Sequence, residues 1–267
     1  MDVGIWQPSQ IEADTRYRAL AGPLQLWLRR AGDELHIAVD RYPDFDAHHE
    51  TQPLTPVPNS QPENLTWARW VVGKAGDTVQ LVPTTPDRPL VVRPEVPLRL
   101  PSKQEALFFV NFPIWVKVSA AAQHSLTLCE EPCIVLSKTW FGDPMSGALC
   151  YSMRTRARRD FVDIQARPHR AVCPVRIRNS AAQQLDLERF CVHVEHLTLF
   201  QGTTRLWTNQ IDVTFRGDKE ISQLDYGKHP PTYETVGEVI CKARHPVKES
   251  LLERGLGSLG LFADDGG

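Results

Sequence analysis

The sequence lacks the features that would carry it across or into a membrane. Its first ten residues, MDVGIWQPSQ, contain neither the basic segment nor the apolar run of a secretory signal. No apolar stretch approaches the roughly 18–20 residues that a membrane-spanning helix needs. We therefore expect a soluble, cytoplasmic protein without a membrane span.

The sequence also lacks an excess of charge of either sign. It carries 30 Lys and Arg against 32 Asp and Glu, which gives a net charge of −2 at pH 7. A protein that binds nucleic acid or an anionic membrane usually shows a marked basic excess. We therefore expect no nucleic-acid partner from the overall charge.

Catalytic signatures are absent as well. The sequence has no nucleophile elbow, no phosphate-binding loop and no glycine-rich dinucleotide fingerprint. Its six cysteines are scattered, and Cys129 and Cys133 have one residue more between them than the commonest zinc or redox spacing. We expect all six to be reduced thiols and expect no cofactor. The sequence leaves catalysis open and favours a non-enzymatic protein.

What the sequence does contain is strand periodicity and proline. Apolar residues alternate with polar ones over much of the chain, and its 21 prolines disfavour helix interiors. We predict an all-β fold of two consecutive antiparallel β-sandwich-like halves with a short C-terminal helix. The predicted domains are residues 1–122, with a proline-rich loop at 43–64, then residues 123–240, then a helical tail at 241–267.

Three local patterns make this prediction specific. Alternation on both sides of Gly32 predicts a hairpin over residues 24–40, and the same Ala-Gly-Asp turn predicts a second hairpin over residues 67–82. Residues 107–118, LFFVNFPIWVKV, are apolar on both faces and predict a central strand, with a bulge or an edge at Pro113. Pro246 and Gly255 bracket the predicted C-terminal helix.

The clearest functional signal is a run of arginines in the second half. On strands, Arg154, Arg156 and Arg158 would project to one face of the sheet, and so would Arg176 and Arg178. If the two strands are adjacent, both sets of arginines share one surface. Guanidinium groups bind phosphate and carboxylate oxygens in pairs, so this surface would suit an anion. The alternative is a solvated face neutralised by carboxylates such as Asp186 and Glu188. The candidate anion-binding residues are Arg154, Arg156, Arg158, Arg176 and Arg178.

A second, weaker signal is the segment His193-Val-Glu-His196. A helix would place His193 and His196 on one face, but the surrounding alternation favours a strand. A strand would put Cys191, His193 and Glu195 on one face and His196 on the other, which makes the first three an alternative set of metal ligands. Imidazoles on a polar sheet face explain the same residues, so our primary prediction is no metal.

Tryptophan is the third signal. Trp27 falls on the polar face of its predicted hairpin, and Trp67 and Trp70 flank Arg69. Aromatic rings next to arginines stack on flat ligands, although packing in a core is the more frequent use of tryptophan.

Taken together, these patterns favour a soluble binding or regulatory protein. Its partner would be an anionic small molecule or an acidic protein, held by the arginines. One alternative is a metal-assisted hydrolase that uses His193 and Glu195. Another is a structural interaction module that docks through its C-terminal helix.

Five segments resemble a known protein family, domain of unknown function 432. The resemblance is carried by residues 86–101 (PDRPLVVRPEVPLRLP), 108–118 (FFVNFPIWVKV), 137–159 (SKTWFGDPMSGALCYSMRTRARR), 173–190 (CPVRIRNSAAQQLDLERF) and 205–215 (RLWTNQIDVTF). It covers residues 126 to about 226 most closely. It implies a prokaryotic cytoplasmic protein without an assigned reaction, and it supplies no catalytic residues.

Overall fold

The fold was determined as a computed structural model. It describes residues 3–44, 50–58, 64–120, 126–142, 144–145, 147–217 and 222–247. Over these ranges no helix combines the length and the apolar character that crossing a bilayer requires.

The described chain is built almost entirely of β-strands, which confirms the predicted all-β class. Its helical segments there are three short 3-10 turns, at Val3–Trp6, Gly73–Asp77 and Val194–His196. The first strands are β1 (Ser9–Gln10), β2 (Arg16–Ala21), β3 (Leu24–Ala31), β4 (Glu34–Arg41), β5 (Thr51–Val57), β6 (Trp67–Val71), β7 (Thr78–Thr84), β8 (Leu90–Val92), β9 (Leu98–Leu100), β10 (Glu105–Pro113) and β11 (Trp115–Ala120). The remaining strands are β12 (Leu126–Pro132), β13 (Ser137–Phe141), β14 (Ala148–Ser152), β15 (Arg170–Asn179), β16 (Leu185–Leu187), β17 (Phe190–Val192), β18 (Leu199–Gly202), β19 (Leu206–Thr208), β20 (Ile211–Phe215), β21 (Gln223–Tyr226) and β22 (Val236–Cys241). The C-terminal helix was predicted between Pro246 and Gly255, and its residues from 248 onward lie outside the described ranges.

The strands belong to two compact units. The first comprises Met1–Thr84, Pro113–Val135 and Arg167–His169, and the second comprises Thr85–Phe112, Leu136–Ala166 and Arg170–Gly267. The predicted domain boundaries and the two consecutive sandwich-like halves stay a prediction.

The first unit contains two antiparallel sheets. The strand order is β5-β2-β3-β4-β6 in one and β1-β7-β11-β12 in the other. The hairpin predicted over residues 24–40 is confirmed, because β3 and β4 pair along their whole length from Leu24↔Arg41 to Ala31↔Glu34. One face of this hairpin is core, with Leu26, Leu28 and Ile37 almost fully buried.

The second predicted hairpin, over residues 67–82, is wrong. β6 pairs with β4, whereas β7 pairs with β1 and β11 in the other sheet of the unit. The 3-10 turn at Gly73–Asp77 separates the two strands, and the main-chain N–H groups of Val72 and Gly73 both donate to the carbonyl of Asp33 at 2.9 Å. These bonds hold the end of β6 beside β4. The chain then continues into β7 of the other sheet and does not fold back along β6.

The single strand predicted over residues 107–118 is also wrong. The strand ends at Pro113 and a new one begins at Trp115. β10 pairs with β15 in the second unit, and β11 pairs with β7 and β12 in the first. Proline lacks the N–H that a continuous ladder would need, and Ile114 instead donates its own N–H to the carbonyl of His169 at 3.0 Å.

The second unit contains mixed rather than purely antiparallel sheets. Its largest sheet has the order β21-β20-β15-β19-β18-β22, with β10 also paired to β15. β15 runs parallel to both β19 and β20, and β14 runs parallel to β8. Parallel neighbours need a long crossover, which the chain between Asn179 and Leu206 supplies. Trp207 and Phe109 lie in a buried aromatic cluster of this unit.

Candidate functional site

The five candidate arginines lie on different elements of the second unit. Arg154 and Arg156 follow the end of β14, outside any strand, and Arg158 makes only an isolated bridge with Phe109. The assumption that these three share a strand face is wrong, because both neighbours of β14 stop pairing at Ser152. Arg176 and Arg178 do share a strand, β15, and the neighbouring strand β10 contains Phe109, the bridge partner of Arg158.

Arg158, Arg176 and Arg178 each have a carboxylate neighbour within the second unit. Arg178 contacts Glu105 at 2.9 Å, Arg176 lies 3.7 Å from its cross-strand partner Asp212, and Arg158 lies 3.5 Å from Glu95. Asp186, which we expected to neutralise these arginines, forms an ion pair with Arg99 instead. These contacts favour internal neutralisation, and anion binding by these arginines stays a prediction.

The segment after β17 forms a turn where a strand was predicted. Strand geometry ends at Val192, and Val194–His196 forms a 3-10 turn closed by a hydrogen bond from the Leu197 N–H to the Val194 carbonyl, 3.0 Å. A 3-10 turn repeats every three residues, so it brings His193 and His196 to the same side. The predicted strand arrangement, with His196 on the opposite face, is therefore wrong.

His193, Glu195 and His196 form a compact cluster of potential metal ligands. One ligand atom of each lies within 4.8 Å of the others. Glu195 Oε1 is 3.0 Å from His193 Nδ1 and 3.9 Å from His196 Nε2. Ligands around a tetrahedral zinc with bonds near 2.0–2.1 Å are about 3.3 Å apart, so small side-chain movements would accommodate a metal ion.

Glu195 is the buried member of this cluster. Only 8% of its surface is exposed, and its Oε2 atom is buried without a hydrogen-bond partner among the residues that the structure describes. A buried carboxylate oxygen without a partner is costly, because its hydration is lost without compensation. Both imidazoles lie next to the other oxygen, Oε1, so a cation bound there would give this buried carboxylate a partner of opposite charge.

The orientation of His196 suits a metal ligand. Its Nδ1 lies 2.6 Å from the main-chain carbonyl of His245, which can only accept a hydrogen bond. Nδ1 therefore carries the proton, and in the neutral ring Nε2 keeps its lone pair on the side of Glu195. Metal-binding histidines in proteins are usually held in this way, through the ring nitrogen that does not bind the metal.

A cleft of about 550 Å³ opens beside His196 in the second unit. Two lysines and one tyrosine lie in its wall together with apolar side chains. Burial raises the pKa of the Tyr226 hydroxyl, and the charge of Glu195 raises it further, so this group stays protonated at neutral pH. Lining residues include His196, Phe200, Tyr226, Lys228, Val239 and Lys242. Sequence reasoning missed Tyr226 and both lysines, because no local pattern links them to residue 196.

Cys191, the third member of the predicted ligand set, has a different partner. Its sulfur lies 3.9 Å from that of Cys150, and the cluster of potential ligands does not include it. The hydrogen bond with Cys191 lowers the pKa of Cys150, and the pKa of Cys191 is raised well above its usual value. All six cysteines are free thiols, as the sequence predicted.

These features define the chain as an all-β protein with a His-Glu-His cluster at the edge of a cleft. A family model described as Protein of unknown function (DUF432) matches residues 5–258, and the chain belongs to that family. This confirms the resemblance found in the sequence. No curated protein and no solved structure matches the chain.

Proposed function

We propose that the protein binds a divalent transition-metal ion through His193, Glu195 and His196 and uses it for hydrolysis. The observation that carries this proposal is the buried carboxylate of Glu195, whose Oε1 atom lies next to both imidazoles and whose Oε2 atom has no hydrogen-bond partner among the described residues. This is the metal-assisted alternative drawn from the sequence, with His196 in place of Cys191.

The three donor groups restrict which metal ions the site would bind. Two imidazoles and one carboxylate are ligands that zinc and ferrous iron accept, whereas calcium and magnesium prefer oxygen donors throughout. Three protein ligands leave at least one coordination position for water or substrate. An ion held by these residues would supply Lewis-acid chemistry, since such ions polarise substrate oxygens and bring the pKa of bound water to about 7.

The cleft supports hydrolysis of an anionic substrate. Lys228 and Lys242 supply two positive charges to its wall, Asp225 supplies one negative charge, and His196 reaches it from the ligand cluster. A phosphate or carboxylate group would be drawn toward the lysines, while an apolar part would contact Phe200 and Val239. The protonated Tyr226 lies edge-on to His196, with ring centroids 5.5 Å apart, and can donate a hydrogen bond to a substrate oxygen.

Elemental analysis of the purified protein tests metal binding. We expect about one equivalent of zinc, iron or manganese per chain, lost on chelation and regained with a rise in melting temperature when the ion is added back. Glu195→Gln and His196→Ala should each abolish stoichiometric binding. His36→Ala is the matched control, because His36 also pairs with a glutamate, Glu34 at 2.8 Å, and the described part of the chain places no third potential ligand with them.

Hydrolysis is tested separately with nitrophenyl esters and nitrophenyl phosphates. We expect turnover that needs the metal and disappears in Glu195→Gln, with Lys242→Gln raising KM for the charged substrates more than it lowers kcat. A chain that takes up no metal, or that binds it equally well after His196→Ala, would refute the proposal. Metal binding without turnover would leave a binding protein and overturn the hydrolytic part.

A further inference from the structure

One face of the five-stranded sheet in the first unit carries a second set of arginines. Alternate residues point into the core, such as Tyr17 and Leu28, and those between them form the opposite face. Two of the rows that strand pairing forms on this face run across all five strands, β5, β2, β3, β4 and β6. One row is Val57, Arg16, Arg29, His36 and Arg69, and the next is Thr55, Arg18, Trp27, Ala38 and Trp67.

Acidic groups on this face already accept hydrogen bonds from other residues, chiefly at the edge formed by β4 and β6. Glu34 accepts a bidentate pair of hydrogen bonds from Arg69, with distances of 2.7–2.9 Å, and a further bond from His36 at 2.8 Å. These bonds lower the pKa of Glu34, with that from His36 contributing most. Asp40, at the end of a neighbouring row, accepts hydrogen bonds from Gln25 and from the Arg41 main chain.

Arg18 and Arg29, near the middle of the face, are poorly neutralised. Arg29 has Asp14 as its carboxylate neighbour at 3.6 Å, and the Asp14 side chain is 78% exposed. No carboxylate of the described residues lies within ion-pair distance of Arg18, whose guanidinium lies 5.4 Å from the centre of the Trp27 ring. Arg16 lies directly opposite Arg29 in the sheet, where like charges repel.

Unsatisfied hydrogen-bond donors accompany these charges. The Nε atoms of Arg18 and Arg29 are buried and have no hydrogen-bond partner in the described part of the chain. A buried charged donor without an acceptor is destabilising, and an oxygen-rich anion is the ligand that would satisfy both the charge and the donors.

From this arrangement we propose that the arginine-bearing face of the β5-β2-β3-β4-β6 sheet binds the phosphoryl group of a small molecule, with Arg18 and Arg29 as its principal ligands and Arg16 next to both, on the same strand as Arg18 and opposite Arg29. A phosphate monoester carries a charge of about −1.5 to −2 at neutral pH. This charge balances the two positive charges of Arg18 and Arg29, which nearby carboxylates neutralise only poorly, whereas a single carboxylate would balance one of them. The site is independent of the metal cluster, since all of its residues belong to the first unit.

Thermal melting at constant ionic strength tests the site. The probes are inorganic phosphate and pyrophosphate, with citrate as the carboxylate comparison and chloride as the baseline. At a concentration ten times the dissociation constant, we expect phosphate or pyrophosphate to raise the melting temperature by roughly 3 °C or more. Arg18→Gln and Arg29→Gln should each remove most of this shift.

Two controls keep the result specific. Arg99→Gln removes the same charge from an arginine that is 80% exposed and lies in the second unit, so the phosphate shift should persist. Arg18→Lys keeps the charge but loses the planar pair of donors, so it should fold even if Arg18→Gln does not, with at least tenfold weaker phosphate binding by calorimetry.

The remaining outcomes each decide against the site. A shift with citrate but not with phosphate would overturn the phosphoryl assignment, and a phosphate shift that survives both Arg18→Gln and Arg29→Gln would place binding elsewhere. A chain in which no anion gives a specific shift would show that the face is solvated. His196→Ala should leave the phosphate-dependent shift in melting temperature unchanged. Failure of the proposed metal site can therefore be distinguished from failure of the phosphoryl site.

Discussion

His196 donates the proton on its Nδ1 to the main-chain carbonyl of His245, 2.6 Å away, and thereby presents Nε2 to Glu195. His36 shows the opposite arrangement, because its Nε2 lies 2.8 Å from the carboxylate of Glu34. The two histidines therefore differ in the nitrogen that is free to bind a metal ion.

Long-range proton–nitrogen NMR spectra at about pH 8 should show this difference. We expect the Nδ1–H tautomer for His196 and the Nε2–H tautomer for His36. Titration with Zn²⁺ should shift the Nε2 resonance of His196 and leave His36 unchanged. The same tautomer in both rings, or an equal response to zinc, would contradict the orientation that the proposed site needs.

The arginine pair on β15 gives a second prediction. Because Arg176 and Arg178 have partners in Asp212 and Glu105, we expect Arg176→Gln and Arg178→Gln each to lower the free energy of unfolding by at most about 1 kcal/mol. Urea denaturation measures this, with and without phosphate at constant ionic strength. A phosphate-dependent stabilisation that only the double variant loses would instead support the anion site predicted from the sequence.

Gly22 and Gly32 provide a matched pair of turn substitutions. Both have a φ of 61°, a conformation that costs an alanine about 1–2 kcal/mol. A Cβ atom on Gly22 would overlap the ring of the fully buried His169, whereas one on Gly32 would meet no described atom within 4 Å. We expect Gly22→Ala to destabilise the protein by about 1–3 kcal/mol more than Gly32→Ala in urea denaturation. Equal losses would show that the His169 ring moves aside freely.

Cys173 should make the protein less stable at alkaline pH. Burial raises the pKa of its thiol to about 12, above the value near 9 of an unfolded chain. Between those pH values the folded chain keeps a proton that the unfolded chain releases. The contribution of Cys173 is therefore complete below pH 9 and falls by at most about 1.4 kcal/mol per pH unit as the pH rises toward 12.

Urea denaturation between about pH 8 and pH 11 measures this slope. Cys173→Ala should reduce it but not abolish it, because the pKa values of Cys129 and Tyr151 are raised to about 12 as well. Cys241→Ala, which changes a half-buried thiol in β22, is the control. A slope that Cys173→Ala leaves unchanged would contradict the predicted linkage.

The fold was predictable where a pattern and its partner are close in sequence. Alternation around Gly32 predicts the β3–β4 hairpin correctly, since the turn itself brings the two strands together. The same reasoning fails between β6 and β7, whose partners are distant strands that no local pattern identifies. It also fails at Pro113, where one apolar run serves two sheets.

The candidate metal site was predictable only in part. The spacing of His193 and His196 suits a helical turn, but the apolar alternation around them favoured a strand and placed His196 on the wrong face. One 3-10 turn reverses that result, and the main-chain N–H of His245, far along the chain, helps to hold it by donating to the Glu195 carbonyl. Such a contact leaves no trace in the residues next to the histidines.

The division of the apolar run at Pro113 has a consequence for any attempt to dissect the chain. A fragment ending at residue 122 would retain β11 but lose β12, which pairs with it from Trp115↔Pro132 to Ala120↔Leu126. Its edge would expose the unsatisfied N–H and C=O groups of β11 beside buried Val116 and Val118, a surface that favours association between copies. β10 would be present without β15, its partner in the second unit. We therefore expect a polypeptide that is cut there to aggregate, so protease nicking or complementation by the missing piece is the better way to dissect the chain.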